Sequence, residues 1–222
     1  MRYGIWIVLL ILTACGGKPS DDIGNGKEGA KVYRHSMNGA PNGLDPVQSG
    51  NVYANFIVVN AYDTLYGYQY LANPYLLKPN LAKDLPTVSD DGLTYTIKIK
   101  QGVEFVDDEC FTDDKGREVT ADDFVYSLLR HFDPRSLSQG AWLWQGRIDG
   151  VDAWKDNGGS DYDKVVSGLK ALDRHTIQIT LVKPYPQLTH TLATGFSAIV
   201  AQECVEHYGK EFSIHPVGSG PY

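Results

Sequence analysis

The stretch from Asp90 to Pro134 constrains the fold more than any other part of the chain. Leu93, Tyr95, Ile97 and Ile99 alternate with threonines and lysines, so one face is apolar and the other polar at a period of two. That pattern predicts a half-buried antiparallel strand. After an acidic loop, Thr120 stands as the N-cap of a short helix whose first turn carries Asp122 and Asp123, where the positive end of the helix dipole favours carboxylates. Phe124, Val125, Leu128, Leu129 and Phe132 form its apolar stripe, and Arg130 and His131 sit at its negative end. Asp133-Pro134 stops it, because the residue before a proline is pushed out of helical geometry.

The flanking segments read in the same way. Residues 32–65 are predicted as a first strand, a turn at Leu44-Asp45-Pro46 and a helix through Phe56, Val59 and Tyr62. Tyrosine- and proline-rich sequence follows from Tyr66. Residues 165–182 predict a hairpin: Leu169 and Ala171, a turn at Asp173-Arg174-His175, then Ile177, Ile179 and Leu181. Pro184 and Pro186 punctuate the return, residues 197–200 predict a short buried strand, and residues 202–208 a short helix closed by Gly209.

The first fourteen residues read as a targeting segment. Arg2 supplies positive charge, and Ile5 to Leu12 is an eight-residue apolar run, too short to span a bilayer. Leu12-Thr13-Ala14-Cys15 looks like a lipobox, which makes Cys15 the expected lipidation site and membrane anchor. Residues 15–31, rich in Gly, Asp and Lys, read as a tether.

The acidic balance, 27 Asp and Glu against 20 Lys and Arg, disfavours nucleic acid as a partner and supplies no basic patch for anionic lipid. No nucleophile elbow, His-Glu-x-x-His or phosphate-binding loop is present, and the six histidines have no nucleophile at a recognisable spacing, so an enzyme is not expected. Cys204-x-x-His207 has a metal-like spacing without a second ligand pair and reads as structural. The acidic loop 107–116 lacks the alternation and closing glutamate of a calcium loop. No metal site and no cofactor are expected.

Two segments narrow the reading. Residues 91–105, DGLTYTIKIKQGVEF, and residues 119–134, VTADDFVYSLLRHFDP, closely resemble the peptide- and nickel-type extracellular solute-binding proteins of ABC importers. Gly43-Leu44-Asp45-Pro46, residues 171–179 (ALDRHTIQI) and residues 216–222 (PVGSGPY) agree in the same order, so the resemblance covers about 32–222.

The resemblance implies an α/β fold of the periplasmic-binding-protein type, class II, from a three-lobed family. Here only the N-terminal lobe pair is expected. Residues 32–66 and 186–222 would form a discontinuous α/β lobe, and 67–185 a smaller, mostly β lobe inserted into it. Because 218–222 resembles sequence that relatives carry inside the chain, the chain is expected to be an N-terminal fragment.

The function implied is capture of peptides for uptake, with a permease and an ATPase as partners, by a lipoprotein on the outer face of the cell membrane or in the periplasm. The resemblance places Gly50, Asn51, Val52 and Tyr53 where relatives present backbone to the ligand. Trp142 and Trp144 match a stretch that lines the cleft, packing between lobes being the alternative for both. An orphan family member acting as a sensor or adhesin, or binding nickel, haem or a sugar, is the rival reading.

Cys110 and Cys204 remain beyond the lipobox. An exported pair invites a disulfide, but the implied lobes separate them, and two free, partly buried thiols are the expectation.

Overall fold

The computed structural model describes residues 36–221; Cys15, the targeting segment, the tether and residues 32–35 of the first predicted strand lie outside the described residues. The turn after Leu44 forms as read. The Asp45 carboxylate accepts the Val47 N–H at 3.2 Å and caps a 3₁₀ turn, Pro46–Gln48, which Pro46 opens with a φ already suited to it. Helix α1, Val52–Ala61, starts under Asn51, whose side chain accepts the Ala54 N–H at 2.7 Å. It packs inward by Ala54, Val58 and Ala61, leaving Phe56 and Val59 exposed.

Strands β1 (Tyr66–Tyr68) and β2 (Leu77–Pro79) make a two-stranded antiparallel ribbon. A second antiparallel sheet, in the order β3-β4-β6-β5, comprises β3 (Thr87–Val88), β4 (Thr94–Lys98), β5 (Leu169–Asp173) and β6 (Thr176–Thr180). The alternating stretch is β4, and Tyr95 and Ile97 pair across the ladder with Ile179 and Ile177 on one buried face. The predicted hairpin is β5–β6, with a bulge between Ala171 and Asp173. Helix α2, Ala121–Leu129, lies on β5 and β6, burying Phe124, Leu128 and Leu129. Its start is held by Asp123, which accepts the Thr120 N–H at 2.8 Å and hydroxyl at 2.9 Å.

Three short helices complete the element order: α3 (Val151–Asp156), α4 (Leu188–Thr191) and α5 (Gln202–Tyr208). Helix α5 ends at Gly209, whose φ of 52° suits a residue without a β-carbon. The strand expected at 197–200 is not one. A 3₁₀ turn, Gly195–Ser197, leads into buried extended backbone that bonds Asp63 through the Ile199 N–H at 3.0 Å and forms no ladder among the described residues.

The cysteines are also corrected. Cys110 and Cys204 form a disulfide, with Cα atoms 4.9 Å apart. The acidic loop folds back onto α5. Arg117 fastens it there, donating to Asp123 at 2.7 and 2.8 Å and to Glu203 at 2.7 Å. Tyr208 donates to Asp108 at 2.7 Å, and Val106 N–H bonds Gly218 O at 2.9 Å. Cys204 is thereby committed to sulfur, and the Cys204-x-x-His207 spacing is not a ligand pair.

A disulfide closing a span of 94 residues constrains the unfolded chain by about 4–5 kcal/mol in the chain-entropy model. The double variant Cys110→Ala, Cys204→Ala is expected to unfold at a clearly lower denaturant midpoint, and the reducing agent that lowers the midpoint of the parent is expected to leave the variant unmoved.

Candidate functional site

A buried ion pair sets the frame. Arg130, at the end of α2, donates two bonds to Asp45, at 2.9 and 2.6 Å, and the two side chains are 5% and 7% exposed. Burial works against the guanidinium charge, but the Asp45 carboxylate outweighs it, and the Arg130 pKa is raised. The pair pins the turn 45–48 to the sheet-packed helix. Asp133 begins the next turn by accepting the Arg135 N–H at 2.8 Å, and the Tyr162 hydroxyl donates to it at 2.8 Å.

Those two turns bring the two predicted segments side by side. Gln139 N–H bonds Val47 O at 2.9 Å, and the Gln48 amide donates to Ser136 O at 2.9 Å. Gly50 lies so close under Gln139 that any β-carbon there would collide with the Gln139 carboxamide. A side chain at position 50 would displace the flexible Gln139 carboxamide from this contact.

The candidate residues divide. Gly50 and Val52 are exposed, Val52 at 73%, whereas Asn51 is half-buried and its side chain is occupied as the α1 cap. The half-buried ring of Tyr53 packs against Gly39. Trp142 is 64% exposed and Trp144 is 1% exposed. Trp142 lies within a 3₁₀ turn, Ala141–Leu143, that Trp144 caps, and side chains two residues apart on such a turn point to different sides. Trp144 accordingly packs in the core, 4.5 Å from the His131 ring, whereas Trp142 is exposed.

His131 organises this segment, a role that sequence reading missed. Its Nε2 lies 2.7 Å from Phe196 O and its Nδ1 2.6 Å from Ser138 Oγ. A carbonyl only accepts, so Nε2 carries the proton and Nδ1 accepts from the Ser138 hydroxyl, which in turn accepts the Gly140 N–H at 3.1 Å. Burial pushes the imidazole down to about 4, so it is neutral. The available signal was Ser138-Gln139-Gly140, small and polar residues just before Trp142.

The two tryptophans are expected to separate on substitution. Trp142→Ala lowers ligand affinity by on the order of 1 kcal/mol with the melting temperature unchanged. Trp144→Ala costs about 3–5 kcal/mol of stability, read by denaturant unfolding. His131 gives a pH test. Its folded pKa lies below the unfolded value, so the unfolded chain binds the extra proton, and stability falls as pH drops from about 6.5 towards 4, by up to roughly 3 kcal/mol from this group. Unfolding curves of His131→Gln against the parent are expected to lose that component of the acid limb.

Residues 77–222 match the family described as bacterial extracellular solute-binding proteins, family 5, middle. The glutathione-binding protein GsiB of Escherichia coli O1:K1 is 32% identical over 179 residues, 81% of this chain and 29% of that protein. The structure of the Escherichia coli murein tripeptide binding protein MppA matches with a TM-score of 0.67 and 28% identity, over 82% of this chain and 33% of that one. The substrate-binding domain of an oligopeptide ABC transporter from Bacillus anthracis shares the fold, with a TM-score of 0.71 at 23% identity, over 84% of this chain and 34% of that one. The chain thus spans about a third of the length of the proteins it matches. With its mixed α/β architecture and two sheets, it has the class II periplasmic-binding-protein-like fold. The chain belongs to the bacterial extracellular solute-binding proteins of family 5.

Proposed function

We propose that this chain supplies one wall of the peptide-binding cleft of an ABC-importer solute-binding protein. In this reading residues 32–66 with 186–222 form the first lobe and 67–185 the inserted lobe. Cys15 carries the lipid that holds the protein at the outer face of the membrane, where a permease and an ATPase complete the importer. Gly50, Asn51, Val52, Tyr53 and Trp142 face the ligand, and Trp144 supports them from the core.

The observation that carries the reading is the pairing of the segments around Gly50 and Gln139. A bare backbone position, an uncharged carboxamide and an exposed indole lie on neighbouring stretches held by backbone bonds. Such a surface suits an extended peptide, which is held through its main chain and tolerates varied side chains. Glutathione and murein tripeptide, named for two of the relatives, are small peptides, which supports the same ligand class.

Native mass spectrometry of the full chain purified from an exporting host tests this. Short peptides are expected among the solutes released on denaturation, with fewer recovered from Trp142→Ala. Recovery of haem, nickel or a sugar as the only solute would sink the peptide reading.

A further inference from the structure

Leu137, two residues before Gln139, holds a conformation that suits glycine. It follows the Pro134–Ser136 turn at φ 48° and ψ 43°, in the left-handed region, and its side chain is 74% exposed. There a β-carbon crowds the following carbonyl, so glycine or asparagine is the usual occupant. The other leucine with a positive φ, Leu71, has a local reason for it. Ala72 N–H bonds Gln69 O at 3.2 Å, and Leu71 is the third residue of that turn, where two turn types take a positive φ. At Leu137 no such bond closes. Its N–H and C=O make no hydrogen bond among the described residues, and its side chain takes no part in the core.

Backbone strain persists only where the surroundings impose it, and such positions gather at ligand-contacting segments. Here the neighbours on both sides are anchored. Ser136 N–H bonds Asp133 O at 3.0 Å, and Ser136 O accepts from the Gln48 amide at 2.9 Å. On the far side Ser138 Oγ lies 2.6 Å from Nδ1 of the buried His131, and Gln139 N–H bonds Val47 O at 2.9 Å. Leu137 is thus held outward between fixed points, beside the segment that carries Gly50. A hollow of about 860 Å³ opens next to it, and Leu137 shares the wall with Gln48 and Ser136, so a ligand residue has room at this position.

We propose that Leu137 is a specificity-determining residue of the peptide cleft, its side chain selecting peptides that carry a large apolar side chain. The inference rests on the peptide reading above. Main-chain recognition is indifferent to sequence, whereas contact between two apolar side chains removes area from water only when both are present. A glycine at 137 would present the same backbone without strain. What leucine adds there is an apolar surface displayed to solvent.

Titration calorimetry of the full chain tests this with trialanine and the three tripeptides that carry one leucine and two alanines. At least one leucine peptide is expected to bind about tenfold more tightly than trialanine. Leu137→Gly relieves the backbone, and Leu137→Asn keeps its left-handed preference with a polar side chain. In both, the preference for leucine over trialanine is expected to fall below about threefold, with an unfolding midpoint no lower than that of the parent. Equal binding of the four peptides by the parent, an undiminished leucine preference in the variants, or a lowered midpoint in both would overturn the role of Leu137 and leave the peptide reading standing. Binding of none of the four by the parent would overturn both.

Discussion

A guanidinium and a carboxylate withdrawn together from water decide the geometry of the surface around Gly50. The Arg130–Asp45 pair joins a turn near the start of the described chain to the end of the helix that covers the sheet, 85 residues later. Neither partner tolerates loss of the other, because a single buried charge costs far more than the pair contributes. That intolerance is what makes the pair useful as a register pin. Once 45–48 is fixed, Gln139 bonds Val47, Gly50 is seated under Gln139, and His131, the next residue along the helix, secures Ser138 and Phe196.

How much of this is legible in sequence follows from the range of each interaction. Strand β4, helix α2, the β5–β6 hairpin and the Asp45 turn are written locally, because side-chain period and capping residues fix them within one element. Residues 197–200 read as a strand in sequence because a buried apolar run looks alike whether or not it finds a ladder partner. The site was half legible. The resemblance points to residues 50–53, Trp142 and Trp144, but the burial of Trp144 depends on a 3₁₀ turn and on a histidine ring brought from another element. The roles of Gln139 and His131 depend on approach in space that spacing along the chain does not record.

The acidic loop shows the same limit from the opposite direction. As sequence, 107–116 is a charged excursion; as structure, it is among the most thoroughly fastened segments described. Phe105 and Phe111 stack at 5.7 Å, the Arg117 guanidinium lies 5.4 Å from the Phe105 centroid, and Tyr208 and His215 stack at 4.0 Å beside Asp108. Solvated charge on the outside and the buried Phe111 with the aromatic contacts beneath hold the loop to α5.

The bond from Cys110 to Cys204 makes part of the polypeptide a ring. Helix α2, the β5–β6 hairpin, Trp142 and Trp144 all lie on that ring, whereas Asp45 and Gly50 lie on the linear arm that enters it. A peptide bond broken anywhere between the two cysteines therefore opens the ring but releases nothing. The arm before Cys110 has no such protection: one cut there parts Asp45 from Arg130 with only packing and hydrogen bonds left to hold them. Proteolytic damage to this molecule is thus asymmetric, tolerated as a nick on one side of residue 110 and registered as a separation on the other.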